Sequence, residues 1–238
     1  MTSYFEFKGE KSIDYGLTIK NEFTSAAPER DVEFVHVPGK SGDLIIDHNS
    51  YKNYDQPYDC NVETTSNESL DELGSRIKGW LQSSSKYGKL VNSWNPDYFR
   101  WASCVNALDI AQVIHQFGSF RPIFNCKPFR YSLIGDQIQT ITAPKTITNP
   151  EKWTSLPYMK IFGSGDITLH INDQEIILTG ISDYIEIDSE LQSAFKGTTT
   201  QNTHYRSAFW PILNAGGNQF SWTGSVDHIE LKPRWNKL

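Results

Sequence analysis

The chain contains 238 residues, 38% of them hydrophobic and 13% aromatic, which is enough to bury one large core or two ordinary ones without disulfide bonds. Its formal net charge of −6 disfavours a nucleic-acid-binding protein, which usually carries a basic stripe, and disfavours attachment to an anionic membrane surface. The three cysteines lack metal-binding or redox spacing, so a reducing compartment fits best. Residues 1–12 lack the apolar region of a signal peptide, and no apolar run approaches the ~18 residues of a membrane span.

The first part of the chain is predicted to form short strands. Period-two alternation of apolar and polar residues predicts strands at Tyr4 to Lys8 and at Tyr58 to Thr64. Between them, Val32 to Val37 and Leu44 to Asp47 flank Pro38-Gly39-Lys40-Ser41-Gly42. Because proline and glycine at this density make a turn, the two flanking strands predict a hairpin.

One helix is predicted over about residues 69–86. Ser69 is followed three residues later by Glu72, a capping-box pair that satisfies backbone N–H groups at a helix start. Apolar residues then recur at helical spacing, at Leu70, Leu73, Ile77, Trp80 and Leu81. Since Gly88 is a suitable stop, we interpret the segment as a helix that packs on a sheet.

Aromatic and β-branched residues predict four more strands after the helix. These strands are Lys89 to Ser93, Tyr98 to Ala107, Ile110 to Phe117 and Ser119 to Lys127. The stretch from Ile110 to His115 is also compatible with a helical turn.

A change in composition predicts a domain boundary near Asp136 to Thr142, where Gln, Thr, Gly and Pro replace the aromatic residues. We therefore predict an N-terminal domain of residues 1–135 and a C-terminal domain of residues 136–238. The C-terminal strands are Ile167 to Ile171, Glu175 to Thr179, Tyr184 to Asp188, Phe220 to Thr223 and His228 to Lys232. Short strands separated by turn signals, without a convincing helix, favour a β-sandwich.

No catalytic or metal-binding pattern stands out. The histidines are scattered, at His36, His48, His115, His170, His204 and His228. Glu186 and Asp188 alternate with isoleucines and would lie about 7 Å apart on a strand, a spacing that fits an inverting glycosidase or a calcium site. A half-buried strand with its acids outward explains the same residues more simply. Gly163-Ser164-Gly165-Asp166 lacks the lysine of a phosphate loop and is interpreted as a turn. Since each of these patterns has a simpler structural explanation, we predict that the protein is not an enzyme and has no cofactor and no metal site.

The seven tryptophans leave a binding role open. Exposed tryptophan and tyrosine on a β-sandwich can stack on sugar rings, whereas buried cores and subunit interfaces use the same residues. A carbohydrate-binding, lectin-like module that contributes to host adhesion is therefore an alternative function, and a cell-wall hydrolase is another.

Short motifs in both halves of the chain resemble the distal tail proteins of siphophages, the Dit family. In the N-terminal half the motifs are Phe5-Glu6-Phe7-Lys8-Gly9, Asp14-Tyr15-Gly16-Leu17 and Val35-His36-Val37-Pro38-Gly39-Lys40-Ser41-Gly42. In the C-terminal half they are Thr148-Asn149-Pro150, Pro157, Lys160-Ile161-Phe162-Gly163-Ser164-Gly165, Ile187-Asp188-Ser189-Glu190, Phe209-Trp210-Pro211-Ile212-Leu213, Gly216-Gly217-Asn218, Trp222-Thr223-Gly224 and Pro233-Arg234-Trp235. Each motif is weak alone, but their collinear order is specific.

The resemblance implies a mainly β protein with one α-helix in its N-terminal domain. That domain would form a homo-hexameric ring, and a galectin-like or carbohydrate-module-like β-sandwich would project outward. Such a ring joins the major tail tube protein to the tail-associated tip protein in the virion, after assembly in the host cytoplasm, and DNA passes through it without tight binding. A receptor-binding protein is a further candidate partner, although the connection from Phe195 to Ala208 is too short for the long arm with which relatives anchor one.

The resemblance also implies that the motif residues are structural. Their glycines permit turns or close backbone approach, and their prolines fix the local chain direction. Trp222 is expected to pack inward. The residues in this set are Gly16, Pro38, Gly39, Gly42, Gly163, Gly165, Pro211, Gly217, Trp222, Pro233, Arg234 and Trp235.

Overall fold

The computed structural model describes residues 2–20, 26–64, 68–105 and 117–238, and the backbone of residues 110–114. The chain divides into two compact units, Met1–Arg130 with Leu238 as unit 1 and Tyr131–Lys237 as unit 2. As the sequence predicts, the described residues are mainly β-strand with one α-helix. That helix has 12 residues, and no described helix is long and apolar enough to cross a membrane.

Unit 1 is a β-sandwich with a helix and a separate hairpin. Its elements are β1 (Phe5–Phe7), β2 (Glu10–Lys11), a 3-10 turn (Ser12–Tyr15), β3 (Leu17–Ile19), β4 (Arg30–His36), β5 (Asp43–Tyr51), β6 (Tyr54–Pro57), β7 (Cys60–Glu63), α1 (Leu70–Leu81), β8 (Gly88–Asn92), β9 (Asn95–Ser103), β10 (Ile110–Ile114), β11 (Phe117–Phe120) and β12 (Ile123–Ser132). One sheet has the order β2-β1-β8-β9-β12, with β6 also paired to β12. The second sheet has the order β10-β11-β7-β3, and buried residues of both sheets form one core.

Helix α1 closes the core of unit 1. The predicted capping box is present, since the Ser69 hydroxyl accepts from the Glu72 amide at 3.2 Å and the Glu72 carboxylate accepts from the Ser69 amide at 3.0 Å. Leu73, Ile77 and Trp80 are buried beneath the helix. The Trp80 indole N–H also donates to the Phe7 carbonyl at 3.1 Å, which ties the helix to β1.

The helix is shorter than predicted, because it ends at Leu81 rather than near residue 86. The Ser83 amide donates to the Trp80 carbonyl at 3.5 Å, a tightened last turn. The Ser84 hydroxyl then accepts the Lys86 amide at 3.0 Å. Serine side chains that bond neighbouring backbone groups compete with helical hydrogen bonds, and three serines in a row stop the helix before Gly88.

The predictions for the strands after α1 differ in outcome. Residues 110–114 form a strand, as predicted, and not the alternative helical turn, and the end of the predicted Tyr98 to Ala107 strand lies outside the described residues. The predicted Ser119 to Lys127 strand is two strands, β11 and β12, separated at Pro122. Pro122 has no N–H to offer a ladder, and its carbonyl accepts the Tyr58 amide at 3.0 Å instead.

Unit 2 is a β-sandwich around a second core. Its elements are β13 (Gln139–Ile141), β14 (Lys145–Asn149), β15 (Tyr158–Ile171), β16 (Gln174–Ile181), β17 (Tyr184–Asp188), β18 (Ser193–Lys196), β19 (Thr199–Thr200), a 3-10 turn (Asn202–His204), β20 (Gly216–Lys232) and β21 (Asn236–Lys237). The first layer joins β13, the second half of β20, the first half of β15, β17, β18 and β19. The second layer joins β14, the first half of β20, the second half of β15 and β16. One core cluster collects buried residues from both layers.

Glycines sit where the two long strands bend from one layer into the other. A Cβ on Gly163 of β15 would lie 2.2 Å from the Ser225 carbonyl oxygen, and a Cβ on Gly224 of β20 would lie 2.3 Å from the Asp166 carbonyl oxygen. The ladder between the strands shifts register at the same place. The prediction of a turn at Gly163 to Asp166 is therefore wrong, and so is the prediction of two strands within β20. Here the glycines permit close backbone contact inside continuous strands rather than ending them.

Candidate subunit interface

Strands β4 and β5 form a two-stranded antiparallel sheet of their own among the described strands. Together with the turn between them, residues 30–51 make up a segment that we call the β-arm. Its cross-strand pairs include Phe34 with Ile45 and Val35 with Leu44. The predicted hairpin is thus present, and its strands extend further from the turn than predicted.

Both faces of the β-arm carry exposed apolar side chains. Since residues paired across a ladder point to the same side, one face holds Phe34 and Ile45, which are 62% and 59% exposed. The other face holds Val35, Leu44 and Ile46, and the last two are 48% and 41% exposed. A half-buried sheet normally places polar residues on its wet face, so the β-arm differs from an ordinary surface hairpin.

Pro38, Gly39 and Gly42 lie together in the turn at the tip of the β-arm. Gly39 and Gly42 have φ values of +82° and +84°, in the left-handed region that side chains disfavour. The Lys40 amide closes the turn by donating to the Val37 carbonyl at 3.1 Å. These three predicted residues therefore lie together in the turn that reverses the chain at the tip.

A few polar and aromatic contacts hold the base of the β-arm. Arg30 donates to Asp47 Oδ2 from Nε at 2.9 Å and from Nη2 at 2.5 Å, and these hydrogen bonds lower the pKa of Asp47. The Arg30 guanidinium lies 5.4 Å from the centroid of the Tyr51 ring, and Tyr51 packs edge-on against Phe129 at 5.8 Å. Because the ion pair is exposed, it adds little to stability.

These features are those of an association surface. A two-stranded hairpin alone is marginally stable in water, and clustered exposed apolar side chains mark sites of protein contact. Among the described strands, the outer edges of β4 and β5 are also unpaired, and such edges accept strands from other chains. The β-arm can therefore bind protein both through its faces and through its edges.

Two motifs that are distant in the sequence meet in unit 2. Arg234 donates from Nη1 and Nη2 to the two carboxylate oxygens of Asp188, each at 2.7 Å. Asp188 Oδ1 also accepts the amides of Glu190 and Leu191. Asp188 is 5% exposed, so the prediction that its carboxylate faces solvent is wrong. The bidentate guanidinium satisfies the carboxylate and permits its burial.

The other predicted motif residues differ in their surroundings. Trp235 is 2% exposed, while Trp222 is only partly buried against the core of unit 2. A Cβ on Gly16 would lie 2.1 Å from the Glu63 carbonyl oxygen, whereas Gly165 has open space around it and a φ of +76°. Buried Pro211 and Pro233 and exposed Gly217 complete the set. The structure distributes these residues over both units and does not bring them into one site.

The described residues do not assemble a catalytic or metal-binding group. They contain no cluster of three or more His, Cys, Asp or Glu side chains placed to hold a metal ion, and His115 lies outside them. Glu186 accepts hydrogen bonds from the Tyr158 hydroxyl at 2.5 Å and from the Gly197 amide at 2.9 Å. Burial raises the pKa of Cys60 to about 12 and that of Cys104 to about 11, so these thiols stay protonated near neutral pH.

The aromatic surface of β15 and β17 does not favour the lectin-like alternative. Phe162 and Tyr184 lie side by side there, with ring centroids 5.6 Å apart. Lys160 and Lys196 place their ammonium groups 3.9 and 4.8 Å from the Tyr184 centroid, and His228 stacks on Phe162 at 4.2 Å. A sugar stacks on a free ring face, and the protein's own side chains already lie over these rings.

The sequence patterns did not predict the two-sided character of the β-arm or the pairing of Arg234 with Asp188. For the β-arm a signal was present, since Leu44-Ile45-Ile46 is apolar at three successive positions and therefore points apolar groups to both faces of a strand. The ion pair joins residues 46 positions apart, and no local pattern encodes it.

No protein-family model and no curated protein sequence matches this chain. Its structure is similar to the crystal structure of the SPP1 protein Dit (gp 19.1), with a TM-score of 0.75, 12% sequence identity and coverage of 100% of both chains. That protein is described as a paradigm of hub adsorption apparatus in Gram-positive infecting phages. At this level of identity the likeness is one of fold, and the chain has the Dit-like fold that its motifs predict.

Proposed function

We propose that this protein is a structural hub of a long-tailed phage tail tip. Its copies form a homo-hexameric ring that joins the major tail tube protein to the tail-associated tip protein, in a virion assembled in the host cytoplasm. The observation that carries the proposal is the β-arm, an apolar and edge-exposed hairpin on a chain with a Dit-like fold. The role is structural rather than enzymatic.

A ring explains why the β-arm is exposed in a single chain. Copies arranged head to tail around an axis use two different surfaces, one on each neighbour, and closure leaves neither surface free. An arm that extends from one copy onto the next covers its own apolar side chains while it closes the ring. The net charge of −6 is compatible with a bore through which DNA slides, because DNA is held tightly by basic linings.

The proposal is tested with the full chain and a double substitution on one face of the β-arm, Phe34→Ser with Ile45→Ser. Wild-type protein should form rings of six copies by light scattering and negative-stain imaging. The arm variant should keep its circular dichroism spectrum and lose the rings, because it removes the apolar pair that a neighbour covers.

A matched control carries the same change at two exposed apolar residues of unit 2, Leu191→Ser with Phe209→Ser, which are 69% and 44% exposed in the wild type. This control should assemble like the wild type. Rings that persist in the arm variant, or that disappear equally in the control, would contradict the assignment of the β-arm.

A further inference from the structure

Arg100 is a buried cation of unit 1 that forms no ion pair with any carboxylate of the described residues. It lies on β9 opposite Leu90 of β8 and is 5% exposed. Leu90 and Ala102 belong to the core of unit 1, so the period of the strand directs Arg100 to the same side. Within the described part of the chain its hydrogen-bond partner is Tyr54, whose hydroxyl accepts from Nε at 2.7 Å, and it forms no ion pair.

This arrangement leaves a charge incompletely compensated. Taking a guanidinium out of water is costly unless an opposite charge and several hydrogen bonds replace the lost hydration. Arg234 shows the usual solution, a bidentate pair with Asp188. Tyr54 is a neutral partner and occupies only Nε of Arg100, so the donors on Nη1 and Nη2 form no hydrogen bond to the part of the chain that the structure describes.

The available donors keep a path to solvent. Four described side-chain atoms are both fully enclosed and unbonded, namely Thr64 Oγ1, Ser155 Oγ, Ser189 Oγ and Asn236 Oδ1. The terminal nitrogens of Arg100 are not among them, so these unbonded donors keep some contact with solvent. The charge of Arg130 also acts on the Tyr54 hydroxyl, so a second arginine lies near this site.

We propose that Arg100 and Tyr54 form a recognition site for a single carboxylate group. Nη1 and Nη2 lie in one plane and match the two oxygens of a carboxylate, which gives two parallel, charge-assisted hydrogen bonds. Tyr54 is a positioning residue, since its bond to Nε fixes the plane of the guanidinium. The carboxylate belongs to a small organic acid in solution or to an acidic side chain of a second copy of this chain, and the site does not depend on the ring.

The test compares the full chain with the variants Arg100→Met and Arg121→Met. Arg121 is a suitable control because it is an exposed arginine, 3.3 Å from Asp59. Thermal unfolding is recorded in sodium acetate and in sodium chloride at equal ionic strength and neutral pH. Acetate at a tenfold excess over its Kd should raise the Tm of the wild type and of Arg121→Met by about 4 °C, and should leave Arg100→Met unchanged.

Light scattering over a range of protein concentrations distinguishes the two sources of the carboxylate. If a second copy supplies it, the mass and Tm of the wild type rise with concentration, acetate lowers the mass, and Arg100→Met loses these responses. Tyr54→Phe should weaken whichever response is seen, because the guanidinium is then less well oriented.

The inference is overturned if the wild type responds to neither acetate nor concentration, or if Arg100→Met keeps the full wild-type response. If Arg100→Met does not fold, Arg100→Lys decides in its place. A lysine keeps the charge but lacks the planar fork, so a reduced response supports the site and a full response overturns it. Absence of rings in wild-type protein would refute the proposed hub and leave the acetate result unaffected.

Discussion

Individual charged pairs in this chain differ in how far they are removed from water. The side chains of Arg234 and Asp188 are 20% and 7% exposed, whereas those of Arg30 and Asp47 are 46% and 36% exposed. Both pairs have short contacts, at 2.7 and 2.5 Å. Solvent screens the second pair and leaves the first largely unscreened, so similar contact distances do not mean equal contributions to stability.

Removal of one partner should reveal this difference. Arg234→Met leaves the Asp188 carboxylate buried without its counter-charge, which should lower the free energy of unfolding of unit 2 by about 3–5 kcal/mol. The same change at the exposed pair, Arg30→Met, should cost much less, because solvent screens that pair. Urea denaturation of the full chain measures both values, and equal losses would contradict the assigned burial.

The same ion pair predicts a dependence of stability on pH. Burial by itself would raise the pKa of Asp188, but hydrogen bonds and charge from Arg234, together with the amides of Leu191 and Glu190, lower it overall. Because the pKa of Asp188 is lower in the folded than in the unfolded protein, the ionised carboxylate contributes its full stabilisation at pH values above the ordinary carboxyl pKa of about 3.9. This stabilisation is lost as the pH falls below that value and through the lowered pKa of the folded state. Asp188→Asn should flatten this part of the stability curve measured between neutral and acidic pH.

At the scale of single elements, local signals predicted some features and failed for others. The start of α1 was predictable because Ser69 and Glu72 are neighbours whose side chains cap the helix by themselves. The bend in β20 was not predictable, because a glycine such as Gly224 usually indicates the end of a strand. The reason for this glycine is its close contact with Asp166 of β15, which the local sequence does not show. The β-arm was likewise predictable as a hairpin from the residues of its turn. The exposure of Phe34 was not predictable, because it depends on which other parts of the protein pack against the β-arm, and no local sequence pattern contains that information.

Helix α1 offers a test of local contributions. Gly79 is an exposed glycine inside the helix with no atom within 4 Å of its Cβ position, so Gly79→Ala should stabilise unit 1 by roughly 0.5–1 kcal/mol. Ser69→Ala removes the side chain that accepts the Glu72 amide and should destabilise it by about 1 kcal/mol. Thermal unfolding of the two variants should therefore shift in opposite directions, and shifts of the same sign would argue against this account.

At the scale of the whole molecule, we expect the two units to have different roles in the proposed hub, with ring formation assigned to unit 1. Unit 1 contains the β-arm, and unit 2 has a complete core of its own. Residues 132–135 belong with unit 2, since the Ser132 amide donates to the Trp235 carbonyl and the Arg234 amide donates to the Gly135 carbonyl, at 2.8 and 2.7 Å. Fragments for a test are therefore better cut after residue 130 than after the predicted boundary at residue 135.

We expect residues 1–130 to assemble as the full chain does and residues 131–238 to remain a monomer. Circular dichroism first establishes that each fragment is folded, and light scattering then gives its mass. A full chain that forms rings while only the C-terminal fragment assembles would place the ring interface in unit 2, contrary to the proposal.

The crossing of β15 and β20 has a consequence for the cooperativity of unit 2. Each strand runs through both layers, so neither layer can open while its shared strands stay in place in the other. Met159 and Leu169 lie in different layers of the same strand, and their amides should exchange with deuterium only through one common opening, with the same free energy. Hydrogen exchange that separates the two positions would show instead that the bend acts as a seam between independently opening halves.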